Sequence, residues 1–225
     1  MTKTIKNKII LIGGSPTAGK SFTARKLSEE LKFPWISTDA IREQMRQIVN
    51  KDQYPKLFYF TNPTTKMCVD LLTNNSAKQI VSIQNKESID VWKGVKAFIE
   101  TDYVWKSFIV EGVAILPQLA HQLKTKLTTK SKTKNKTSKD IKVIFLIDDD
   151  HERIRRTIFT RGLWDDADKY PNNVKEKEIE WVIEFNNYIL KEAKNIVDSL
   201  YKNLITFERL IAIFIFLIVS LSKSF

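Results

Sequence analysis

Four short apolar runs along the chain have the length and composition of buried strands. They occupy residues 8–12, 35–37, 107–110 and 141–147. Each run ends at glycine or at polar residues, and β-branched residues recur in the runs, as is typical of strands in the middle of a sheet. The last of the four is followed by three consecutive acidic residues, Asp148, Asp149 and Asp150.

Helical patterns fill most of the chain between and after these runs. Apolar residues recur every three to four positions among polar residues, which predicts amphipathic helices. The predicted helices are residues 20–31, a helix that begins at Thr38, and residues 64–99, 151–161 and 175–195. Residues 50–63 are turn-rich and aromatic, which indicates a loop or short helix over a site. Since strands alternate with helices, we predict an α/β fold with a parallel sheet and right-handed crossovers.

The length of 225 residues fits one such domain with a helical insertion, which we place at residues 1–203. Residues 124–139 hold seven lysines and no acidic residue, and they account for seven of the eleven net positive charges. Without them, the charge is ordinary for a domain that binds phosphates. The segment has low complexity and no apolar periodicity, so we expect a solvated surface loop. A docking arm for RNA, DNA or acidic lipid is the alternative.

Residues 204–225 form an apolar C-terminal tail. Its central run, residues 210–221, has twelve residues, whereas about twenty are needed to cross a bilayer as a helix. We expect a buried last strand or helix. The alternatives are a tail that contacts a membrane and an end that packs poorly.

Cysteine and histidine are scarce, which restricts the cofactors of the chain. Cys68 is the single cysteine, so neither an intrachain disulfide nor a cysteine-based zinc site can form. The two histidines, His121 and His151, support a zinc site poorly. The N-terminus does not resemble a secretory signal, and we therefore expect a cytoplasmic location.

Residues 14–21, GSPTAGKS, match the phosphate-binding pattern G-x-x-x-x-G-K-[ST] between a predicted strand and a predicted helix. Two glycines let the backbone N–H groups turn toward phosphate oxygens, and the N-terminus of the helix adds positive charge. In this pattern the lysine reaches the β- and γ-phosphates and the serine hydroxyl binds Mg²⁺. We predict that ATP and Mg²⁺ bind through Gly14, Ser15, Pro16, Thr17, Ala18, Gly19, Lys20, Ser21 and Phe22, with Lys20 catalytic and Ser21 a metal ligand.

The segments after the second and third strands offer an acceptor site. Asp39 follows the second strand and can accept the proton of an attacking hydroxyl, although capping of the following helix would also explain it. Arg42 lies one helical turn further on and can bind an anionic group of the acceptor. Glu111 ends the third strand, where a carboxylate can orient the metal or its waters.

Arginines crowd the predicted helix at residues 151–161 and its end. Phosphoryl transfer spreads negative charge that arginines on a closing lid can neutralise, and we select Arg156 and Arg161 as catalytic candidates. The alternative is a solvated helix whose arginines pair with nearby acidic residues. Residues 163–166 and Tyr170 are expected to shape the acceptor pocket or the hinge of the lid.

No guanine-reading N-K-x-D motif follows a strand and no LSGGQ-like transporter signature is present, which leaves a compact kinase. The segments GGSPTAGKS, ISTDAIR, VWKGV and IVEGVAILP, in this order, resemble the 2-phosphoglycerate kinase family of P-loop kinases. The resemblance extends over residues 8–195. It implies a three-layer P-loop NTPase fold with an arginine-bearing lid, and transfer of the γ-phosphate of ATP to a hydroxyl of a small anionic acceptor such as 2-phosphoglycerate.

Two other functions remain open at the level of sequence. The spacing of Asp39 and Arg42, D-x-x-R, also occurs in polynucleotide kinases and zeta-toxin-like kinases, so a polynucleotide or nucleotide-sugar kinase is the alternative within enzymes. A non-catalytic protein that binds a nucleotide, tethered through its basic segment or its apolar tail, belongs to a different class. Phosphate transfer to an acceptor distinguishes the two classes.

Overall fold

A computed structural model describes residues 7–59, 64–101, 105–133, 139–163, 167–205 and 217–220. Its centre is a parallel sheet with the strand order β2-β3-β1-β4-β5. The strands are β1 Asn7–Gly14, β2 Trp35–Ser37, β3 Phe108–Glu111, β4 Lys139–Ile147 and β5 Leu217–Ser220. The predicted α/β fold with a parallel sheet is therefore confirmed.

Seven helices connect or follow the strands in the described part of the chain. They are α1 Lys20–Leu31, α2 Thr38–Ile48, α3 Thr65–Asn74, α4 Ala77–Glu100, α5 Pro117–Thr133, α6 His151–Thr160 and α7 Asn172–Ile205, with 3-10 turns at Pro55–Phe58 and Ala167–Lys169. The segment predicted as mostly helical, residues 64–99, is two helices. Ser76 starts the second one with a reciprocal capping box to Gln79, which satisfies N–H groups that would otherwise lack partners.

Side chains on the two faces of the sheet alternate, and each face is covered by helices. On one face Ile12, Ile109 and Leu146 pack with Ala24 of α1. On the other face alternate strand residues such as Leu11 and Val110 join a larger core with residues of α2, α4, α5 and α7. The result is three layers, with helices on both sides of a sheet buried on both faces.

The loop predicted for residues 124–139 is wrong over most of its length. Helix α5 continues to Thr133, and Lys139 already belongs to β4; residues 134–138 lie outside the described part of the chain. Lys126 Nζ lies 3.4 Å from Glu100 Oε1, and Lys139 Nζ donates a hydrogen bond to the Ile99 carbonyl.

The physical reason for this helix lies partly before the lysine-rich segment. Ala120 and Leu123 are buried in the core, and Leu119 and Leu127 pack against it. Their spacing of three to four residues defines one apolar helix face, which the frequent lysines and threonines further on conceal from a composition-based prediction.

The C-terminal tail supplies an edge strand to the sheet. Leu217–Ser220 pairs in parallel with β4, Ile144 opposite Leu217. This agrees with the expected last strand for those four residues, while residues 206–216 and 221–225 lie outside the described part. Among the residues described, no helix combines the length and apolar character needed to cross a membrane.

Candidate active site

A cleft of about 770 Å³ opens at the edge of the sheet where β2 and β3 end and where α1 begins after β1. Parallel strands bring their carboxyl ends to one edge, and ligands of open α/β sheets bind there. Of the residues predicted to bind phosphate, acceptor or metal or to be catalytic, those that line the cleft are Pro16, Thr17, Gly19, Lys20, Ser21, Phe22, Asp39, Arg42, Glu111 and Arg161. The cleft therefore brings together the predicted phosphate-binding, acceptor and metal residues.

The phosphate loop has the backbone geometry that its sequence predicts. Thr17 and Gly19 have positive φ angles of 67° and 80°, and α1 begins directly after Gly19 without a side-chain cap. The loop approaches β4 so closely that a Cβ on Gly14, whose φ is 142°, would collide with the Leu146 carbonyl. These conformations form a concave backbone that suits an anion at the N-terminus of a helix.

Three of the predicted loop residues do not line the cleft with side chains. Ser15 and Ala18 are fully buried, and Gly14 faces β4. Their predicted part in ATP binding would come through their backbone groups and stays a prediction.

Lys20 lies at the floor of the cleft. Its Nζ donates a hydrogen bond to the Ser15 carbonyl at 2.6 Å. Burial lowers the pKa of Lys20 to about 8, while the charges of Glu111 and Asp39 act in the opposite direction. Glu111 and Asp39 line the same cleft as Lys20.

The buried Lys20 makes stability depend on pH. Because its pKa falls from 10.5 to about 8 on folding, the unfolded chain binds more protons at this position between those two values. We therefore expect the free energy of unfolding to rise with pH between about 8 and 10.5, and Lys20 to contribute at most about 3 kcal/mol to this rise. Below about pH 8 the buried ammonium group destabilises the folded protein by this full amount. Urea unfolding from pH 7 to 10.5 measures it. A Lys20→Met variant should lack this part of the rise, and an identical rise in both proteins would contradict the prediction.

Ser21 and Glu111 form a pair of oxygen donors beside Lys20. The Ser21 hydroxyl donates to Glu111 Oε1 at 3.2 Å, and Glu111 is almost fully buried. Burial raises the pKa of Glu111, whereas Lys20 and the hydrogen bond from Ser21 lower it. A hydroxyl and a carboxylate are ligands that suit Mg²⁺. Within the described ranges no three His, Cys, Asp or Glu residues cluster as possible metal ligands.

Asp39 does not serve as the side-chain cap of α2. Ser37 caps this helix, since its hydroxyl accepts a hydrogen bond from the Ala40 N–H at 3.0 Å. The Asp39 side chain is 61% exposed to the cleft and lies 3.1 Å from Arg42 Nη1. The structure thus leaves the carboxylate of Asp39 accessible to an acceptor.

A charged network that was not predicted from the sequence lies next to Arg42. Arg46 is buried and donates to the Leu57 carbonyl, to Glu43 and to Glu87, at 2.7 to 2.8 Å. Burial raises the pKa of Glu87, and Arg42 and Arg46 act against it. The sequence offered one signal for this network: Arg46 lies one helical turn after Arg42, so both arginines are on the same face of α2. Its partner Glu87 is 41 residues away in sequence, and no local pattern connects the two.

The arginines near α6 have different environments. Arg161 lines the cleft, whereas Arg156 is exposed on α6 and does not line it. Arg153 Nη2 binds Asp148 Oδ1 at 2.6 Å, and Arg155 binds Glu176. The alternative of a charged helix with paired arginines therefore describes Arg153 and Arg155, and the catalytic role of Arg156 stays a prediction.

The segment after α6 closes one side of the cleft. Leu163 and Tyr170 line it, as expected from the sequence, and residues 164–166 lie outside the described part of the chain. Trp181 of α7 and Gln84 of α4 also line the cleft, and Trp181 Nε1 donates a hydrogen bond to Gln84 Oε1 at 3.1 Å. This wall of α4 and α7 was not predicted as part of the site.

Gly112 follows Glu111 at the rim of the cleft, and its conformation requires glycine. Its φ is 148°, and a Cβ there would collide with the side chain of Thr38. We expect Gly112→Ala to lower the free energy of unfolding by about 2–5 kcal/mol, from backbone strain and from overpacking. Urea denaturation checks this. The Gly112→Ala, Thr38→Ala double variant should recover the part of the lost stability that comes from the collision with Thr38. If the free energy of unfolding of Gly112→Ala stayed within about 0.5 kcal/mol of the parent, the prediction would be wrong.

Comparison with known proteins agrees with the motifs. No protein-family model matches the chain. Two curated proteins named 2-phosphoglycerate kinase, from Methanocaldococcus jannaschii and Methanococcus maripaludis, are each 31% identical over 113 and 115 residues. The alignments cover 49% of this chain and only 35% and 37% of the two relatives, so the chain spans about a third of their length. The similarity to 2-phosphoglycerate kinases is therefore confirmed for about half of the chain.

A solved structure with partial similarity is a gluconokinase from Sinorhizobium meliloti 1021. It is 12% identical, its TM-score is 0.43, and the superposition covers 88% of this chain and 98% of the gluconokinase.

Proposed function

We propose that the chain is an ATP-dependent phosphotransferase that moves the γ-phosphate to a hydroxyl of a small anionic acceptor similar to 2-phosphoglycerate. One observation carries the proposal. Lys20 of the phosphate loop, the hydrogen-bonded pair Ser21 and Glu111, and the exposed carboxylate of Asp39 line the same cleft.

Each residue has a defined part in the proposed transfer. The loop amides and Lys20 bind the β- and γ-phosphates, and Ser21 and Glu111 would hold Mg²⁺, which neutralises phosphate charge when bound. Asp39 accepts the proton of the acceptor hydroxyl. As it does so, the acceptor oxygen forms a bond to the γ-phosphorus, while the bond between the γ-phosphorus and the oxygen that leaves with ADP breaks. Arg161 at the rim is placed to neutralise the charge of the transferred group.

Arg42 supports an anionic acceptor. Its guanidinium lies 3.1 Å from Asp39, so a group bound to it would lie beside the proposed base. Arg42 also contacts Glu43 Oε1 at 3.1 Å, and its Nη1 lies 3.9 Å from Glu87 Oε2. A carboxylate or phosphate of the acceptor would exchange with these pairs and direct its hydroxyl to Asp39.

Transfer from γ-labelled ATP to a panel of acceptors tests the proposal. The panel contains 2-phosphoglycerate, 3-phosphoglycerate, gluconate, a 5′-hydroxyl oligonucleotide and a nucleotide sugar, with the reaction products separated and counted. We expect label on a small hydroxy acid or its phosphate. Label on the oligonucleotide or the nucleotide sugar alone would replace this acceptor class, and ATP binding without transfer to any acceptor would favour the non-catalytic binding protein.

A further inference from the structure

A single buried amide connects the phosphate loop, which follows β1, to the end of the neighbouring strand β4. Asn186 lies on α7 and is 6% exposed. Its Oδ1 accepts hydrogen bonds from the Ser15 hydroxyl at 2.7 Å and from the Asp148 N–H at 3.2 Å, and its Nδ2 donates to the Asp148 carbonyl at 2.7 Å. One side chain thus binds the residue that follows Gly14 and both backbone groups of the residue that follows β4.

The Ser15 end of this connection leads to Lys20. The same residue whose hydroxyl binds Asn186 accepts the Lys20 Nζ hydrogen bond on its carbonyl. Because Ser15 is fully buried, bulk water cannot replace the hydrogen bond of its hydroxyl if Asn186 is lost. The orientation of this peptide group therefore depends on Asn186 on one side and affects Lys20 on the other.

The Asp148 end leads to α6 and the rim of the cleft. Asp148 Oδ1 binds Arg153 of α6 and also accepts the Asp150 N–H. Helix α6 packs on α7 through Ile154 and Ile158, against Ile179 and Val182. Val182 is one helical turn before Asn186, and α6 leads directly into Arg161. Asn186 therefore lies where the phosphate loop, β4 and the arginine-bearing helix meet.

Packing alone does not explain an amide in this position. Its neighbours on the same helix, Phe185 and Ile189, are fully buried apolar residues, and a buried amide among them is unfavourable unless it is hydrogen-bonded. The three bonds of Asn186 supply that compensation, and they go to the phosphate loop and β4, not to a neighbouring turn of α7.

We propose that Asn186 is a positioning residue, which holds Ser15 so that the phosphate loop and Lys20 have their nucleotide-binding geometry and which connects this loop to the helix that precedes Arg161. The expected effect on the KM for ATP rests on the proposed function. The expected effect on the Kd for ATP requires only that the chain binds a nucleotide. The acceptor side of the cleft, which Asn186 does not line, should be unaffected.

The Ser15 hydroxyl and the Asn186 amide form a double-mutant cycle. Ser15→Ala removes the bond between them and leaves both bonds to Asp148, whereas Asn186→Leu removes all three. We expect each single variant to raise the Kd for ATP, and the KM for ATP, about tenfold, with an unchanged KM for the acceptor. The double variant should bind ATP no more weakly than Asn186→Leu, because Asn186→Leu already removes the one bond that Ser15→Ala removes.

Asn187→Leu is the matched control, because Asn187 is the adjacent residue on α7 and is exposed. It should bind ATP like the parent. Titration of ATP by calorimetry, with urea unfolding of each variant, separates a positioning role from a structural one. Ser15→Ala and Asn186→Leu variants that lose stability but bind ATP with parental affinity would overturn the proposal, as would fully multiplicative losses in the cycle. The binding results do not depend on transfer, so failure of the proposed function leaves this test intact.

Discussion

Replacing Lys20 by methionine is expected to lower the rate of phosphate transfer by about 10²- to 10³-fold and to weaken ATP binding. Methionine has similar length and keeps the apolar stem, so the change removes mainly the charge. That charge lies at the floor of the cleft, beside Ser21 and Glu111, where burial strengthens its interaction with phosphate oxygens. Initial rates with labelled ATP and calorimetric titration measure the two effects.

Lys26→Met is the control for this prediction. Lys26 lies on the same helix, six residues later, and its side chain is 55% exposed beside Glu29. Its replacement should leave transfer and ATP affinity within about twofold of the parent. A Lys20→Met variant as active as this control would show that the phosphate loop is not the site of nucleotide binding.

Replacing Asp39 by asparagine is expected to lower transfer at least about a hundredfold while ATP binding persists, because the amide keeps the shape of the side chain but cannot accept the proton. The variant also loses the ion pair with Arg42. The KM for the acceptor will therefore change together with kcat, and single-turnover rates at saturating acceptor isolate the effect on the chemical step.

Asp52→Asn controls for the loss of one negative charge, since Asp52 is exposed and does not line the cleft. We expect parental rates from it. If Asp39→Asn transferred phosphate at the parental rate with saturating acceptor, Asp39 would not be the base. Its exposed carboxylate would then have a binding role alone.

The strands and the phosphate loop could be predicted because their signals are local. The loop from Gly14 to Ser21 carries its glycines, lysine and serine at fixed spacing, and the apolar run before it has the character of a central strand. Asp39 and Glu111 were found by the same reasoning, since each follows a predicted strand and parallel strands end at one edge of the sheet. The structure brings both of them to the cleft with Lys20.

Helix α5 and the position of each arginine relative to the cleft depend on contacts that are distant in sequence. Helix α5 was missed because the lysine-rich segment conceals an apolar face that only the packing of Leu123 and Leu127 reveals. Arg156 was selected from a cluster of arginines, and nothing local distinguishes it from Arg161. The orientation of α6 on α7 decides that Arg161 lines the cleft and Arg156 does not.

By itself the sequence determined the α/β class, the phosphate loop and the two carboxylates at strand ends, because short-range backbone geometry and strand order encode these features. Only the tertiary structure decided which polar side chains from distant parts of the chain meet around the cleft. Glu87 and Asn186 are 41 and 171 residues from their partners Arg46 and Ser15, and those contacts exist because α4 and α7 pack against the same sheet. Such contacts follow from how helices pack, which no spacing along the chain records.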